Sequence, residues 1–414
     1  MQRVRVLVVD GSAPERALIA ETLTTEPAVE LVGTADTPAM AYAKTAALGP
    51  DVVVLDGDLD SGGLARTVLA VRNAHPGVVV VLVASPTAAG ARTTVDALDA
   101  GIADYVTKPP PPRSAIAVQK MVLAHLLPRV KALTGLAPPM RPQRRPEVPG
   151  APAFDRATVT ATGTAAPTAA RTAAPTAPAA RMRPAAPAVP VARVSAELSH
   201  LLAASGVDLG TPRRDPKPAR TKGYTAVLVG ASTGGPEALA EFVRGLDPAL
   251  RTPVLVVQHM PAGFTKLLAE RLDRLSHLDV REAVDGDRVL PGMLLVCPGG
   301  VHMELQRAGS GLVVRLTEDP PENFVRPAVD VLFRTGAAAC GDGVLAVVLT
   351  GMGRDGERGA RDVQDAGGTV IAQDERTSVV WGMPGCVARA DLADAVLPLP
   401  RIGADVSERV LHRP

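Results

Sequence analysis

Between residues 134 and 220 the chain offers almost nothing that a core could bury. Its centre, "GTAAPTAARTAAPTAPAARMRPAAPAVP", is Ala, Pro and Thr with a few Arg. Proline fixes φ and removes a backbone donor, so the composition predicts an extended, mobile tether instead of packed structure. This feature splits a 414-residue chain into two segments, each long enough for its own core. Inside the stretch, "VSAELSHLLAASG" has helical apolar spacing. It fits a short docking helix or a transient one equally well.

Before the tether, Val-rich runs alternate with helix-like stretches. "RVLVVD", "VELVGTAD", "PDVVVLD", "GVVVVLVAS" and "ADYVTK" read as strands, and "PERALIAETLTT" and "PAMAYAKTAALG" as helices. Strands this apolar on both faces suit a parallel sheet covered by helices. From "YTAVLVG" at residue 224 the alternation resumes, with "TPVLVVQH", "GMLLVCPGG", "GLVVRLTE", "GVLAVVLTG", "GTVIAQD" and "DAVLPLP" as strands. "GPEALAEFVRGL", "GFTKLLAERLDRL", "AVDVLFRTGAAAC" and "GERGARDVQDAGG" read as the intervening helices. The expectation is an α/β chain of two doubly wound parallel-sheet domains, at 1–125 and 222–414, joined by a linker at 126–221. An antiparallel hairpin is expected near residues 293–317.

Charge is nearly balanced, Lys+Arg 44 against Asp+Glu 43 for a net of +1, which argues against a broad nucleic-acid or membrane-surface footprint. Cys297, Cys340 and Cys386 are too scattered for a disulfide framework or a thiolate metal site, and read as small core residues. No apolar run approaches the ~20 residues that span a bilayer, and "MQRVRVLVVDG" enters a strand directly. A cytoplasmic protein without membrane insertion is expected.

"LVGASTGGPEAL", residues 228–239, sets a lone serine among glycines where a strand gives way to a helix. Gly230 to Gly234 satisfies the G-x-S-x-G spacing of a nucleophile turn, and Pro236 suits the start of a helix. A dinucleotide fingerprint fails because Ser232 stands where its second glycine belongs, and a P-loop fails for want of Gly-Lys-Ser/Thr. A nucleophilic serine needs a base, and the base needs an orienting group. "PVLVVQHMPAGF" ends its strand at His259, and "GVLAVVLTGMGRDG" ends in a loop carrying Asp355. In an open parallel sheet such strand ends can converge. Taken singly, each has a structural explanation that fits better: an ordinary Gly-rich turn at Ser232, and helix caps at His259 and Asp355. His302 in "CPGGVHMEL" competes as the base.

Taken together, "VLVGASTGGPEAL", "VVQHMPAGFTKLLAERL", "GDRVLPGMLLVCPGG", "RPAVDVLFRTGA", "VVLTGMGRDGERGA" and "AQDERTSVVWGMP" resemble the catalytic domain of chemotaxis protein-glutamate methylesterases, the CheB family. The resemblance implies a Rossmann-like domain with a Ser232, His259, Asp355 triad and no metal or other cofactor for the esterase. It also implies hydrolysis of glutamate γ-methyl esters on the cytoplasmic helices of chemoreceptors, often with deamidation of glutamines there. Peptide N–H groups of Thr233 and Met352 lie in turns beside the triad and are the oxyanion candidates, Met352 also by the resemblance.

The same resemblance assigns residues 1–125 to a flavodoxin-like response-regulator receiver, phosphorylated by a chemotaxis histidine kinase. "PDVVVLDGDL" places Asp56 as phosphoacceptor, "VLVVDGS" places Asp10, and "ADYVTKP" supplies Tyr105 and Lys108. The pattern is partly degenerate. Gly11 replaces the second acid expected to bind Mg²⁺, Ala84 stands where a switch hydroxyl belongs, and Ser85 comes one position late. A weak Mg²⁺ site on Asp10 and Asp56 is expected, with Asp58 the candidate to compensate. The resemblance further implies that the unphosphorylated receiver covers the active site. Two other classes compete: a receiver-linked transcription regulator, which would need a basic helix-turn-helix, and a catalytically inert scaffold.

Overall fold

The computed structural model describes residues 3–59, 63–135 and 223–411. The Ala/Pro-rich stretch from residue 136 and the "VSAELSHLLAASG" segment lie outside the described residues. No helix among the described residues is long and apolar enough to cross a membrane.

The N-terminal domain alternates strands β1 (Val4–Val9), β2 (Val29–Ala35), β3 (Val52–Asp56), β4 (Val79–Ala84) and β5 (Asp104–Thr107) with helices α1 (Ala13–Thr24), α2 (Pro38–Leu48), α3 (Leu64–Ala74) and α4 (Ala88–Asp99). All pairings are parallel and the order is β2-β1-β3-β4-β5, the doubly wound order expected of buried Val-rich strands joined by crossover helices. Ser12, Thr37 and Thr87 start α1, α2 and α4 by accepting a backbone N–H through the side chain. A final helical run, α5 (Ala115–Met121), a π turn (Val122–Leu126) and α6 (Leu127–Leu133), carries helix past residue 125. The π turn comes just before Pro128, whose missing N–H and bulky ring cannot sit in a regular α-helical ladder.

The C-terminal domain runs β6 (Ala226–Ala231), α7 (Gly235–Arg244), β7 (Val254–Gln258), α8 (Phe264–Asp273), β8 (Asp279–Glu282), β9 (Arg288–Val289), β10 (Met293–Val296), β11 (His302–Ala308) and β12 (Gly311–Thr317). It continues with α9 (Val329–Cys340), β13 (Val344–Val348), α10 (Glu357–Asp365), β14 (Thr369–Gln373), α11 (Met383–Arg389), β15 (Ala395–Leu397) and α12 (Leu399–Leu411). Seven strands form a parallel sheet in the order β15-β14-β13-β6-β7-β10-β8. Strands β11, β12 and β9 form a separate antiparallel sheet. The expected hairpin is therefore 302–317. Residues 293–296 are buried throughout and belong to the parallel sheet, whereas β11 and β12 mix buried with exposed positions as a one-faced ribbon does.

Central strands β13, β6 and β7 are neighbours, so their carboxyl ends lie side by side. Beside that edge the two domains pack: α4 lies against α8, and the Tyr105 ring stacks on Phe264 with centroids 5.2 Å apart and planes 2° from parallel. Arg271, almost wholly buried, donates from Nε to Asp99 of the N-terminal domain at 2.7 Å and from Nη2 to Glu237 at 2.7 Å.

Candidate active site

Ser232 follows β6 in a tight turn. Its N–H donates to the Thr350 carbonyl at 3.0 Å, and its carbonyl accepts from Gly235 N at 2.7 Å and Gln258 Nε2 at 2.9 Å. Gly234 turns the chain into α7 at φ +74, which an L side chain rarely adopts. A Cβ at Gly351 would fall 2.8 Å from the Ser232 Cβ. Only a residue without a side chain lets the loop after β13 approach the serine this closely.

His259 follows β7, its N–H bonded to the Ala231 carbonyl at 3.1 Å. Its Nε2 lies 2.7 Å from Asp355 Oδ2, which leaves Nδ1 as the ring nitrogen available for Ser232. Among the described residues no hydrogen bond joins the Ser232 hydroxyl to that ring; such contacts are often loose before substrate binds.

Asp355 is buried and densely solvated by protein donors. Oδ2 accepts from Val329 N at 2.6 Å, and Oδ1 from Asn323 Nδ2 at 2.7 Å, Asp330 N at 3.1 Å and Gly356 N at 3.1 Å. Burial pushes its pKa up, but His259 and the peptide N–H groups outweigh burial and hold it below the usual carboxylate range. Asp355 does cap a helix, as one reading of the sequence had it. The helix is α9, not the α10 that follows it in sequence.

His302 is excluded as the base. It is buried, accepts from Ala328 N through Nδ1 at 3.1 Å, and lies 3.2 Å from the Pro320 carbonyl through Nε2, so both ring nitrogens are engaged by backbone. Neither the Thr233 nor the Met352 N–H donates a hydrogen bond among the described residues, so both remain free for an oxyanion.

A model of the CheB methylesterase family matches residues 227–406, and one of the response regulator receiver domain matches residues 6–118. Over 413 residues the chain is 40% identical to the protein-glutamate methylesterase/protein-glutamine glutaminase of Nocardioides sp., covering 100% of this chain and 97% of that relative. The chain belongs to the CheB methylesterase family. A relative of the same name from Maricaulis maris is 38% identical over 98% of this chain and 95% of its own length. A third, protein-glutamate methylesterase/protein-glutamine glutaminase 1 of Paramagnetospirillum magneticum, is 35% identical over 99% and 97%.

In this family member the receiver site keeps three of its side chains together. Lys108 pairs with Asp56 and also with Asp58 at 3.1 Å. Asp10 uses Oδ1 to accept Ser12 N at 2.7 Å, while its Oδ2 is buried with no partner among the described residues. Burial, and next the charge of Asp56, raise the Asp10 pKa to about 6. A buried, unpartnered carboxylate oxygen beside a second carboxylate fits a divalent cation. Asp58 directs Oδ2 to the Ser85 hydroxyl at 2.5 Å and to Lys108, so the late serine is bonded to Asp58 and to Arg113, at 3.1 Å.

Receiver side chains reach the esterase centre as well. A cavity of about 390 Å³ is lined by Ser232, Thr233 and His259 on one side and by Tyr105, His125 and Arg129 of the receiver on the other. Arg129 is fixed there by Asp104 at 3.0 Å. Burial first, and then the Arg129 charge, hold His125 below its ordinary pKa.

Three residues at the site have no signature in the sequence. Gln258 braces the serine turn, and Asn323 donates from Nδ2 both to Asp355 and to Asp330 Oδ2, the latter at 2.8 Å. Asp330 also accepts from Gly359 N at 2.7 Å, and burial followed by the Asp355 charge raises its pKa to about 6. Only Gln258 is adjacent in sequence to a residue that stands out, His259.

Proposed function

We propose that the protein hydrolyses γ-methyl esters of glutamate on the cytoplasmic helices of chemoreceptors, deamidates glutamines at equivalent positions, and acts in the cytoplasm under control of its receiver. The observation that carries the reading is the His259–Asp355 pair beside a turn-mounted Ser232, on the ends of three adjacent strands. Family membership supports it.

His259 Nδ1 takes the Ser232 proton as Oγ attacks the ester carbonyl, and Asp355 stabilises the resulting imidazolium through Nε2. The N–H groups of Thr233 and Met352 receive the developing oxyanion, each donor contributing about 3 kcal/mol to the transition state. Methanol leaves with the proton from Nδ1. A water deprotonated by the same nitrogen then attacks the acyl-enzyme, giving the glutamate carboxylate and free serine. With a glutamine side chain, ammonia replaces methanol.

In the receiver, Asp56 is the acceptor for a phosphoryl group delivered by a chemotaxis histidine kinase. Asp10 and Asp56 would hold Mg²⁺, which when bound offsets phosphoryl charge. Lys108 supplies the fixed cation beside the acceptor. Tyr105, on the strand leading to Lys108, lines the esterase cavity, so the receiver site and the face that covers Ser232 are linked by a few residues of chain.

Methanol release from methylated chemoreceptor membranes tests the reading. Ser232→Ala, His259→Ala and Asp355→Asn are each expected to remove most activity, non-additively, in a folded protein. A folded Ser232→Ala variant that released methanol at the wild-type rate would refute the nucleophile.

A further inference from the structure

Two apolar side chains close to the elements around Ser232 are left to solvent: Phe324 directly precedes Val325, which lines the cavity, and Val379 lies against Gly234 of the serine turn. Phe324 is fully exposed, at 101% of its reference area, and Val379 is 39% exposed. Single exposed apolar residues are ordinary. Phe324 differs because of the backbone that carries it. Asn323 and Phe324 have φ of +54 and +66, and Glu322 and Val325 exchange N–H to O bonds of 3.2 and 3.0 Å across them. Two successive left-handed residues closing a two-residue loop is the geometry for which Asn and Gly are suited. Asn323 fits that rule and Phe324 does not, and an unburied ring returns nothing to the fold for its conformational cost.

The turn is also tied to the chemistry. Asn323 is fastened to Asp355, and Val325 and Arg326, directly after the ring, line the cavity. Arg326 directs its guanidinium to the carbonyls of Glu318 and Asp319, so the cation two residues after Phe324 is engaged by backbone. Val379 lies over the nucleophile turn: a Cβ on Gly234 would fall 2.5 Å from the Val379 Cβ. The next residue, Val380, accepts from Gly351 N at 3.0 Å, which fastens Val379 to the loop that approaches Ser232.

We infer that Phe324 and Val379 form the docking contact for an amphipathic helix that carries the methyl ester, gripping apolar side chains one helical turn from the esterified glutamate. The inference rests on the esterase reading above. A helix delivering one side chain into the cavity projects its residues three and four positions away along the same face, toward the rim. Apolar residues at those positions would cover the Phe324 ring and the Val379 methyls, and the bound helix would bury the surface that the free protein exposes.

The test compares kcat/KM for methanol release from methylated receptor membranes with kcat/KM for a small aryl acetate, using the full chain. Wild type, Phe324→Asn, Val379→Thr and the double variant are measured. The ratio of receptor to small-ester kcat/KM is expected to fall about tenfold in each single variant and further in the double. Phe324→Asn, better suited to the left-handed turn, should melt no lower than wild type. A ratio within about twofold of wild type in the double variant, or equal losses on both esters, overturns the inference. A wild type that cleaves the aryl ester but releases no methanol from receptors removes the proposed substrate, and the docking contact with it, before any variant is compared.

Discussion

Gly351 sets a distance on which the nucleophile depends, and Gly351→Ala measures it. The new Cβ would stand 2.8 Å from the Ser232 Cβ and 2.3 Å from Met383 Sδ, where ordinary contact begins at 3.4 Å. Relief therefore requires the serine to retreat by 3.4 − 2.8 = 0.6 Å and the sulfur by 3.4 − 2.3 = 1.1 Å. The thioether is flexible and can re-rotate. Ser232 cannot, because its N–H and carbonyl are pinned by Thr350, Gly235 and Gln258. Overpacking of this kind costs about 1–3 kcal/mol. Misplacing a nucleophile by about 1 Å costs about 100-fold in rate, so a shift of roughly half that should lower kcat about tenfold. Methanol release and urea unfolding read the two effects separately. Adding Met383→Ala removes the sulfur contact but not the serine contact, so the stability losses should be less than additive while kcat stays low. Wild-type kcat in a folded Gly351→Ala protein would refute the spacing argument.

His302→Gln should cost about 1–3 kcal/mol in urea unfolding by disturbing two hydrogen bonds to backbone, one of them buried, yet leave the pH profile of kcat unchanged because His302 exchanges no proton with substrate. Among the described residues a Cβ at Gly11 would meet only Leu59 Cδ1, at 3.6 Å, so Gly11→Asp should tighten Mg²⁺ binding on the order of tenfold in a spectroscopic titration of the full chain. Asp99→Lys sets a like charge against buried Arg271 and should raise methanol release by the unphosphorylated protein several-fold; an unchanged rate would mean that this ion pair does not hold the receiver over the cavity.

Ser232, His259 and Asp355 were legible because each follows a strand so apolar that its end is plain, and a parallel sheet places functional groups at such ends. The residues alone left both His259 and His302 open as the candidate base, and only the resemblance named His259. What distinguishes the two is the hydrogen bond that His302 Nδ1 accepts from Ala328 N and the one that His259 Nε2 donates to Asp355 Oδ2, with partners far from either histidine in sequence. Asn323 and Asp330 escaped for the same reason: their relation to Asp355 spans a loop and a helix start that have no pattern of their own. Strand β8 reads "DVRE", and an edge strand with charged positions carries no apolar run to betray it. Helices α11 and α12 were missed behind Gly, Pro and a short strand, where turn residues mask the periodicity that follows.

The Asp355 carboxylate answers to two masters, a catalytic ring and the first turn of α9. Four protein N–H groups require its negative charge whether or not a substrate is present, so folding itself keeps the acid ionised and His259 aligned between turnovers. A chain drifting toward a silent role could discard the Ser232 hydroxyl at little structural expense, but discarding Asp355 would strip α9 of its anionic cap and leave those donors buried without an acceptor. An inactive descendant of this protein is therefore expected to have lost its nucleophile first and to retain the aspartate as a relic of architecture.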